Sequence, residues 1–315
     1  MADTGVVHQV AVIGTGVIGA SWVSCFLANG LNVSATDPAP NAERNLRRAV
    51  EAHWPVLESL GLAPNSSPGR LRFDPTIERA ARDAQFVQEN GPERLETKIE
   101  TFRVLDRVTG AQTILASSSS GLMVSQYQTA CEHPERVVLG HPFNPPHLIP
   151  LVEVGGGART SAESLNRAFD FYTAIGKRPI GVQKEMKGHI ANRLQTALWR
   201  EAFYLVQSGV ATVADIDLTI SHGPGLRWAL LGPFLNLELS GGEGGISHNL
   251  THMGPAMEDW WNDLGSVSLT PDLIATFAAG VKEELGDRNI KNVAAERDAL
   301  LLELLRNKAK SKQLP

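Results

Sequence analysis

The chain has 315 residues, which is enough for about two domains of ordinary size. Hydrophobic residues make up 43% of it, charged residues make up 20%, and the net charge is −5. This composition excludes a disordered chain and argues against a nucleic-acid-binding surface. Two cysteines, Cys25 and Cys131, are too few for a disulfide framework, so a reducing compartment is expected.

Neither a membrane span nor a secretory signal is predicted from the sequence. It contains no run of about 18 or more apolar residues. Residues 1–5 lack the basic and apolar regions of a signal peptide. We therefore expect a cytoplasmic protein whose partners include neither a membrane nor a nucleic acid.

The first 186 residues alternate short apolar runs with longer segments of helical periodicity. The predicted strands are residues 8–13, 31–37, 84–88, 113–117, 136–140, 148–154 and 178–182. The predicted helices are residues 17–29, 41–60, 93–108 and 162–175. Pro55 inside the second helix predicts a kink or a division into two helices. This alternation predicts an α/β fold, a Rossmann-type doubly wound and mostly parallel sheet, over residues 1–186.

Residues 187–315 are predicted to form an all-helical C-terminal domain. Its predicted helices are residues 188–208, 213–221, 230–239, 248–263, 273–280 and 294–313. In the first of them Leu194, Leu198, Ala202 and Leu205 share one face.

A dinucleotide-binding motif follows the first predicted strand. Gly14, Gly16 and Gly19 form G-x-G-x-x-G, with Val17 and Ile18 between the last two glycines, and a helix follows. Glycines at these positions allow a tight turn, approach of the backbone to a pyrophosphate and close packing of helix on strand. Asp37, at the end of the second strand, is suited to bind the adenosine ribose hydroxyls and to repel a 2′-phosphate. The motif therefore predicts NAD as cofactor, in preference to NADP.

A histidine and a glutamate are candidates for acid–base chemistry. His141 opens the proline-rich segment His141–Pro146, and Glu153 lies twelve residues later in the next predicted strand. A carboxylate that binds one ring nitrogen would fix the tautomer and stabilise the imidazolium. From the residues alone, a catalytic and a structural role for this pair are both open.

Two other patterns in the sequence are insufficient to predict a site. His248 and His252 are four residues apart, but no third metal ligand accompanies them, so no metal site is predicted. A serine hydrolase that uses Ser120 and His141 would need a G-x-S-x-G motif, which is absent.

Five motifs together resemble the 3-hydroxyacyl-CoA dehydrogenase superfamily, in order and over roughly residues 8–245. They are Gly14–Gly19, Ser117–Gly121, Gly140–Pro145, Leu151–Val154 and Gly188–Leu194. The resemblance implies that His141 is the general base, that Glu153 orients it, and that Ser120 and Asn192 place the substrate. It further implies cofactor contacts at Asp37, Glu93, Lys98 and Asn144, and a helical domain that forms a homodimer. His189 departs from the pattern, because the family usually carries an aromatic residue there.

Further segments resemble the branch of the superfamily that acts on free 3-hydroxy acids, the L-carnitine dehydrogenases and the related L-gulonate 3-dehydrogenases (lambda-crystallins). These segments are Asp37–Pro40, Gln88–Arg94, Leu198–Ala202 and Gly225–Trp228. The branch implies oxidation of the 3-hydroxyl of L-carnitine, with L-gulonate or another free 3-hydroxy acid as the alternative. A protein that binds NAD in a purely structural role is a third hypothesis, against which the Ser120, His141, Glu153 and Asn192 set argues.

A trimethylammonium group needs aromatic faces and a carboxylate needs a forked cation. The aromatic candidates are Phe143, Trp199, Trp228, Phe234, Trp260 and Trp261, of which Phe143 and Trp228 are preferred. Arg193 and Arg227 are the candidate carboxylate ligands. Arg227 is the stronger of the two because it adjoins Trp228 in a predicted glycine-flanked loop.

Overall fold

The computed structural model describes residues 7–314. Residues 1–5, which are predicted to carry no secretory signal, lie outside the described part. The chain divides into one unit that ends at Arg193 and a second that begins at Leu194. This division falls a few residues after the predicted domain boundary at 186/187, which stays a prediction.

The first unit is built on one eight-stranded sheet. Its strands are β1 (Gln9–Ile13), β2 (Asn32–Thr36), β3 (Leu71–Phe73), β4 (Phe86–Glu89), β5 (Ile114–Ser117), β6 (Val137–Pro142), β7 (Leu151–Gly156) and β8 (Arg178–Val182). Its helices are α1 (Val17–Ala28), α2 (Ala42–Leu60), α3 (Ile77–Ala81), α4 (Leu95–Val108), α5 (Val124–Tyr127) and α6 (Ala162–Ala174).

The strand order is β3-β2-β1-β4-β5-β6-β7-β8, and β6 with β7 is the antiparallel pair in an otherwise parallel sheet. The predicted doubly wound α/β fold is therefore confirmed. Because β1, β2, β4, β5 and β6 run in the same direction, the segments that follow them lie at one edge of the sheet. Those segments carry Gly14, Asp37, Glu93 and Ser120 of the predicted site residues.

The core of this unit lies on both faces of the sheet. Val10 and Val12 belong to one buried cluster, and Ala11 and Ile13 belong to the other. Alternate residues of a strand point to opposite faces, so helices cover the sheet on both sides. On the first face Phe86 stacks on Phe171 with ring centroids 4.0 Å apart.

Several details differ from the sequence prediction. The short elements β3, α3 and α5 were not predicted, because three to five residues are too few to show a period. Helix α2 is continuous through Pro55, so the two-helix alternative is wrong. Leu46, Val50 and Leu57 are buried along one side of α2, and this packing compensates for the one backbone hydrogen bond that proline cannot make. His141 lies within β6 and not after it.

The second unit is helical, as predicted. Its helices are α7 (Ala191–Gln207), which begins three residues before the division, α8 (Val213–His222), α9 (Pro224–Trp228), α10 (Pro233–Ser240), α11 (Gly245–Asp263), α12 (Pro271–Leu285) and α13 (Ile290–Lys310). Arg227 and Trp228 belong to α9, so the predicted loop at these residues is wrong. Pro224 at the first helical position favours the helix because its fixed backbone angle suits a helix start.

Within residues 7–314, no helix combines the length and the apolar character that crossing a membrane would require.

Candidate active site

The glycine-rich turn after β1 fits a dinucleotide. Gly14 has a φ of +84°, and a Cβ there would lie 2.8 Å from the carbonyl oxygen of Asn90. A Cβ on Gly19 would collide with the carbonyl of Gly14, whereas a Cβ on Gly16 would meet nothing within 4 Å. The protein's own packing therefore requires the first and third glycines. The second faces open space at the N-terminus of α1, where backbone N–H groups attract an anion.

Asp37 is tied directly to this turn. Its Oδ2 accepts the N–H of Thr15 at 2.7 Å, and its Oδ1 accepts the N–H of Ala39 at 2.8 Å. These bonds fix the carboxylate at the carboxyl end of β2, beside the glycine-rich turn. The acid and the glycines thus have the arrangement that dinucleotide-binding folds use for a ribose and a pyrophosphate, and their contacts with NAD stay a prediction.

His141 and Glu153 face each other across the antiparallel pair β6 and β7. They are direct partners in the strand register, and the His141 Nδ1 atom lies 2.7 Å from Glu153 Oε2. Both side chains are buried, and Glu153 has no exposed surface. The twelve-residue separation in sequence becomes direct contact because β7 turns back along β6.

The second carboxylate oxygen of Glu153 binds the start of α7. Oε1 accepts the N–H groups of Ile190 and Ala191 at 2.8 and 2.9 Å. Burial acts to raise the pKa of Glu153, but the hydrogen bonds from His141, Ala191 and Ile190 outweigh it and hold the pKa below its ordinary value. Glu153 is therefore ionised at neutral pH.

The turn after β5 is held by acidic side chains. Glu93 Oε1 accepts the Ser119 hydroxyl at 2.7 Å and the N–H of Gly121 at 2.9 Å. Burial acts to raise the pKa of Glu93, yet these bonds and nearby Lys98 lower it overall. Ser120 follows on this turn and is exposed.

Glu89 was not predicted as part of the site. It is buried and pairs with Lys98, whose Nζ lies 2.7 Å from Glu89 Oε2. The same oxygen accepts the Ser117 hydroxyl at 2.8 Å. A carboxylate directly after a buried predicted strand could have indicated it. Lys98 is only 1% exposed and its ammonium group is paired with Glu89. The predicted contact of Lys98 with the cofactor stays a prediction.

The segment before α7 comes to the same turn. Asn192 Nδ2 donates to the Ser120 carbonyl oxygen at 3.4 Å. His189 Nε2 lies 2.9 Å from the carbonyl oxygen of Ser119. The structure thus brings Ser120, Asn192, His141 and Glu153 into one network within the first unit.

The other preferred candidates lie on several elements of the chain. The Phe143 ring centroid is 6.5 Å from that of His141, and Asn144 is exposed in the segment after β6. Arg193 is exposed on α7. Arg227 and Trp228 belong to α9 in the second unit, and the roles of all five residues stay predictions.

The fold and the site define an NAD-dependent dehydrogenase. Residues 9–186 match the model of the 3-hydroxyacyl-CoA dehydrogenase NAD binding domain, and residues 188–290 match that of the 3-hydroxyacyl-CoA dehydrogenase C-terminal domain. The chain belongs to the 3-hydroxyacyl-CoA dehydrogenase family, which confirms the resemblance seen in the sequence.

Within this family, the chain is similar over almost its full length to several individual proteins. An L-carnitine dehydrogenase of Streptomyces coelicolor is 50% identical over 95% of this chain and 94% of its own length. An L-carnitine dehydrogenase of Pseudomonas putida is 47% identical over 94% of this chain and 92% of its own length. Among solved structures, an NAD⁺-dependent 5-formyl-3-hydroxy-2-methylpyridine 4-carboxylic acid 5-dehydrogenase, described as a dismutase, superposes with a TM-score of 0.84. It is 29% identical and covers 98% of this chain and all of that one.

Proposed function

We propose that this protein oxidises the 3-hydroxyl of L-carnitine to 3-dehydrocarnitine with NAD. The assignment of carnitine as substrate depends on one observation. Over almost its full length, the chain is 50% and 47% identical to two L-carnitine dehydrogenases. The reaction type is supported by the buried His141–Glu153 pair beside a dinucleotide-binding turn.

His141 is the general base of the proposed mechanism. Because Glu153 is ionised, the proton of His141 lies on Nδ1, which donates a hydrogen bond to Oε2 of Glu153 over 2.7 Å. The lone pair of Nε2 is then free to accept the proton of the substrate hydroxyl. Bound NAD supplies the acceptor for the hydride that leaves carbon 3.

Glu153 stabilises the charge that His141 gains. The proton transfer creates an imidazolium in a buried place, where an unpaired charge is costly. The carboxylate is already in contact, and the N–H groups of Ile190 and Ala191 keep it from rotating. Ser120 and Asn192 orient the hydroxyl in this proposal, since Asn192 binds the Ser120 carbonyl oxygen and directly follows the residues whose N–H groups bind Glu153.

The cofactor is held in the proposal by Gly14, Gly16, Gly19 and the N–H groups of Val17 and Ile18, with Asp37 on the ribose. Glu93, Lys98 and Asn144 complete the set at the nicotinamide end. Open space at Gly16 supports the assignment of the phosphates to the glycine-rich turn, and the fixed Asp37 carboxylate supports that of the ribose.

Recognition of the two ends of carnitine is assigned to aromatic and arginine side chains. Phe143 lies near His141 and offers a ring face to the trimethylammonium group. Trp228 is proposed as a second face, and Arg227 or Arg193 as the ligand of the carboxylate.

The domains and the assembly are also proposals. Residues 1–186 bind NAD, and residues 187–315 contribute to the substrate site and form a homodimer. The large exposed apolar side chains of the helical unit, among them Phe234 at 75% and Leu239 at 70%, support a second copy as the partner. Two free, buried cysteines support a reducing, cytoplasmic location.

The test is NADH formation with L-carnitine, D-carnitine, L-gulonate and 3-hydroxybutyrate under identical conditions. The proposal expects the highest kcat/KM with L-carnitine. A higher kcat/KM with L-gulonate would identify the alternative substrate. If none of the four compounds gave NADH, the proposed oxidation of a free 3-hydroxy acid would be wrong.

A further inference from the structure

His189 occupies a constrained position that the proposed mechanism does not use. It is 5% exposed and has a φ of +49°, a backbone conformation that few residues with side chains adopt. Gly188 before it is also left-handed, with a φ of +74°. Two successive left-handed residues turn the chain sharply just before α7 and direct the His189 ring inward.

The ring makes one directed contact in the interior. Its Nε2 donates to the carbonyl oxygen of Ser119 at 2.9 Å. The Ser119 hydroxyl is itself fixed on Glu93 at 2.7 Å. His189 therefore joins the segment that carries Asn192 to the turn that carries Ser120.

The same ring borders the catalytic histidine. The centroids of His189 and His141 are 5.2 Å apart, with 53° between the ring planes. In the neutral form with its proton on Nε2, His189 adds no charge next to the imidazolium that forms on His141. A protonated His189 would place a second positive charge at that distance and oppose proton transfer.

The surroundings favour the neutral form. Burial lowers the pKa of His189 below its ordinary value, while the Ser119 carbonyl acts in the opposite direction. Within the described residues, the titratable groups that face it are His141 in β6, Glu153 in β7, Glu93 before α4 and Glu185 after β8.

We propose that His189 is a positioning residue that, through its bond to Ser119, fixes Ser120 and Asn192 relative to His141 and must be neutral for turnover. This inference rests on the proposed function, because it concerns the same base. It explains why this position would require histidine. A phenylalanine ring could fill the same space but could not donate a hydrogen bond to Ser119.

Two amide substitutions separate the hydrogen bond from the backbone strain. His189→Gln carries a donor at about the reach of Nε2, whereas His189→Asn is too short. Asparagine tolerates a positive φ better than glutamine, so strain alone predicts that the Asn variant is the better enzyme. We expect the reverse. His189→Gln should keep kcat within about three-fold of the unsubstituted protein, and His189→Asn should lose about ten-fold or more, because a buried carbonyl loses its donor.

Two further readouts distinguish positioning from a general structural role. The dissociation constant for NADH should be unchanged in both variants. On the acid side, kcat/KM of the unsubstituted protein should fall more steeply than that of His189→Gln once the pH is low enough to protonate His189, because its imidazole must stay neutral. Equal kcat for the two variants would overturn the positioning role. Superimposable acid limbs would overturn the requirement for neutrality.

The failure of this inference is distinguishable from failure of the proposed substrate. The kinetics are run with whichever 3-hydroxy acid of the panel is oxidised best. NMR of the protein with isotope-labelled histidine reports the His189 tautomer without any substrate. A proton on Nε2 is expected, and a proton on Nδ1 alone would overturn the inference whatever the enzyme oxidises.

Discussion

The two units of the molecule bury their apolar side chains very differently. In the α/β unit the sheet is covered on both faces, and Trp22, Phe26, Phe86 and Phe102 are almost fully inaccessible. In the helical unit the buried hydrophobic side chains among residues 194–314 are Leu273 and Leu302. Exposed apolar surface on this scale is typical of a surface that binds another protein. The contrast agrees with the proposals that the catalytic residues lie in the first unit and that a second copy of the chain covers the second unit.

The largest expected effect tests whether the chemistry belongs to the α/β unit. His141→Ala should lower kcat by about 10²–10⁴-fold, the usual contribution of a general base, while NADH still binds. Initial rates and a fluorescence titration with NADH measure the two properties. His133→Ala is the matched control, because the His133 side chain lies exposed in the same unit, with its Nδ1 3.5 Å from Glu135 Oε1 on the surface. Near-normal turnover of His141→Ala would refute the assignment.

The next effect tests the helical unit. If a second copy covers its apolar surface, Phe234→Ala should weaken the dimer by about 10²- to 10⁴-fold, since burying a phenylalanine contributes about 1.5–3 kcal/mol and a symmetric dimer loses it twice. Sedimentation over a range of protein concentrations measures the dissociation constant. Leu60→Ala, at a partly exposed leucine of the α/β unit, is the control and should leave association unchanged. A monomer at every concentration would contradict the dimer itself.

A smaller effect asks whether both units contribute to substrate binding. Phe143→Ala in the first unit and Trp228→Ala in the second should each raise KM for carnitine by about two- to thirty-fold, the loss of one aromatic face. KM for NAD should change less. The reference is 3-hydroxybutyrate, which lacks the ammonium group and should be insensitive to both substitutions. If the unsubstituted protein oxidises it as efficiently as carnitine, aromatic recognition of the cation is wrong.

The smallest effect concerns the pH dependence of stability in the α/β unit. The folded pKa of Glu153 lies below its unfolded value, so its ionised form stabilises the fold above the unfolded pKa. That contribution is lost as pH falls through the folded pKa. The free energy of unfolding should therefore fall more steeply below about pH 5 in the unsubstituted protein than in Glu153→Gln. Denaturant unfolding at several pH values measures both slopes, and parallel curves would contradict the shift.

Local patterns in the sequence were sufficient for most elements and for the cofactor. The G-x-G-x-x-G turn with Asp37 after the second strand predicts NAD, because the motif needs only a strand, a turn and a helix in succession. Family membership was likewise evident from ordered motifs. The helical unit was predicted from periodicity, although α9 was missed because its five residues give no repeat.

Contacts between distant residues needed the tertiary structure. The pairing of His141 with Glu153 could be suggested from spacing, but only the antiparallel return of β7 brings the two side chains to 2.7 Å. Glu89 could have been suggested by its place after a predicted strand, but its pairing with Lys98 and the bond from His189 to Ser119, seventy residues away, could not be predicted from the sequence.

The sequence by itself therefore determined the fold class, the family and the cofactor, while the tertiary structure decided which buried polar groups satisfy one another. The physical reason is that periodicity and turn chemistry act over a few residues. The partner of a buried histidine or carboxylate depends instead on strand order and on the path of the chain between elements.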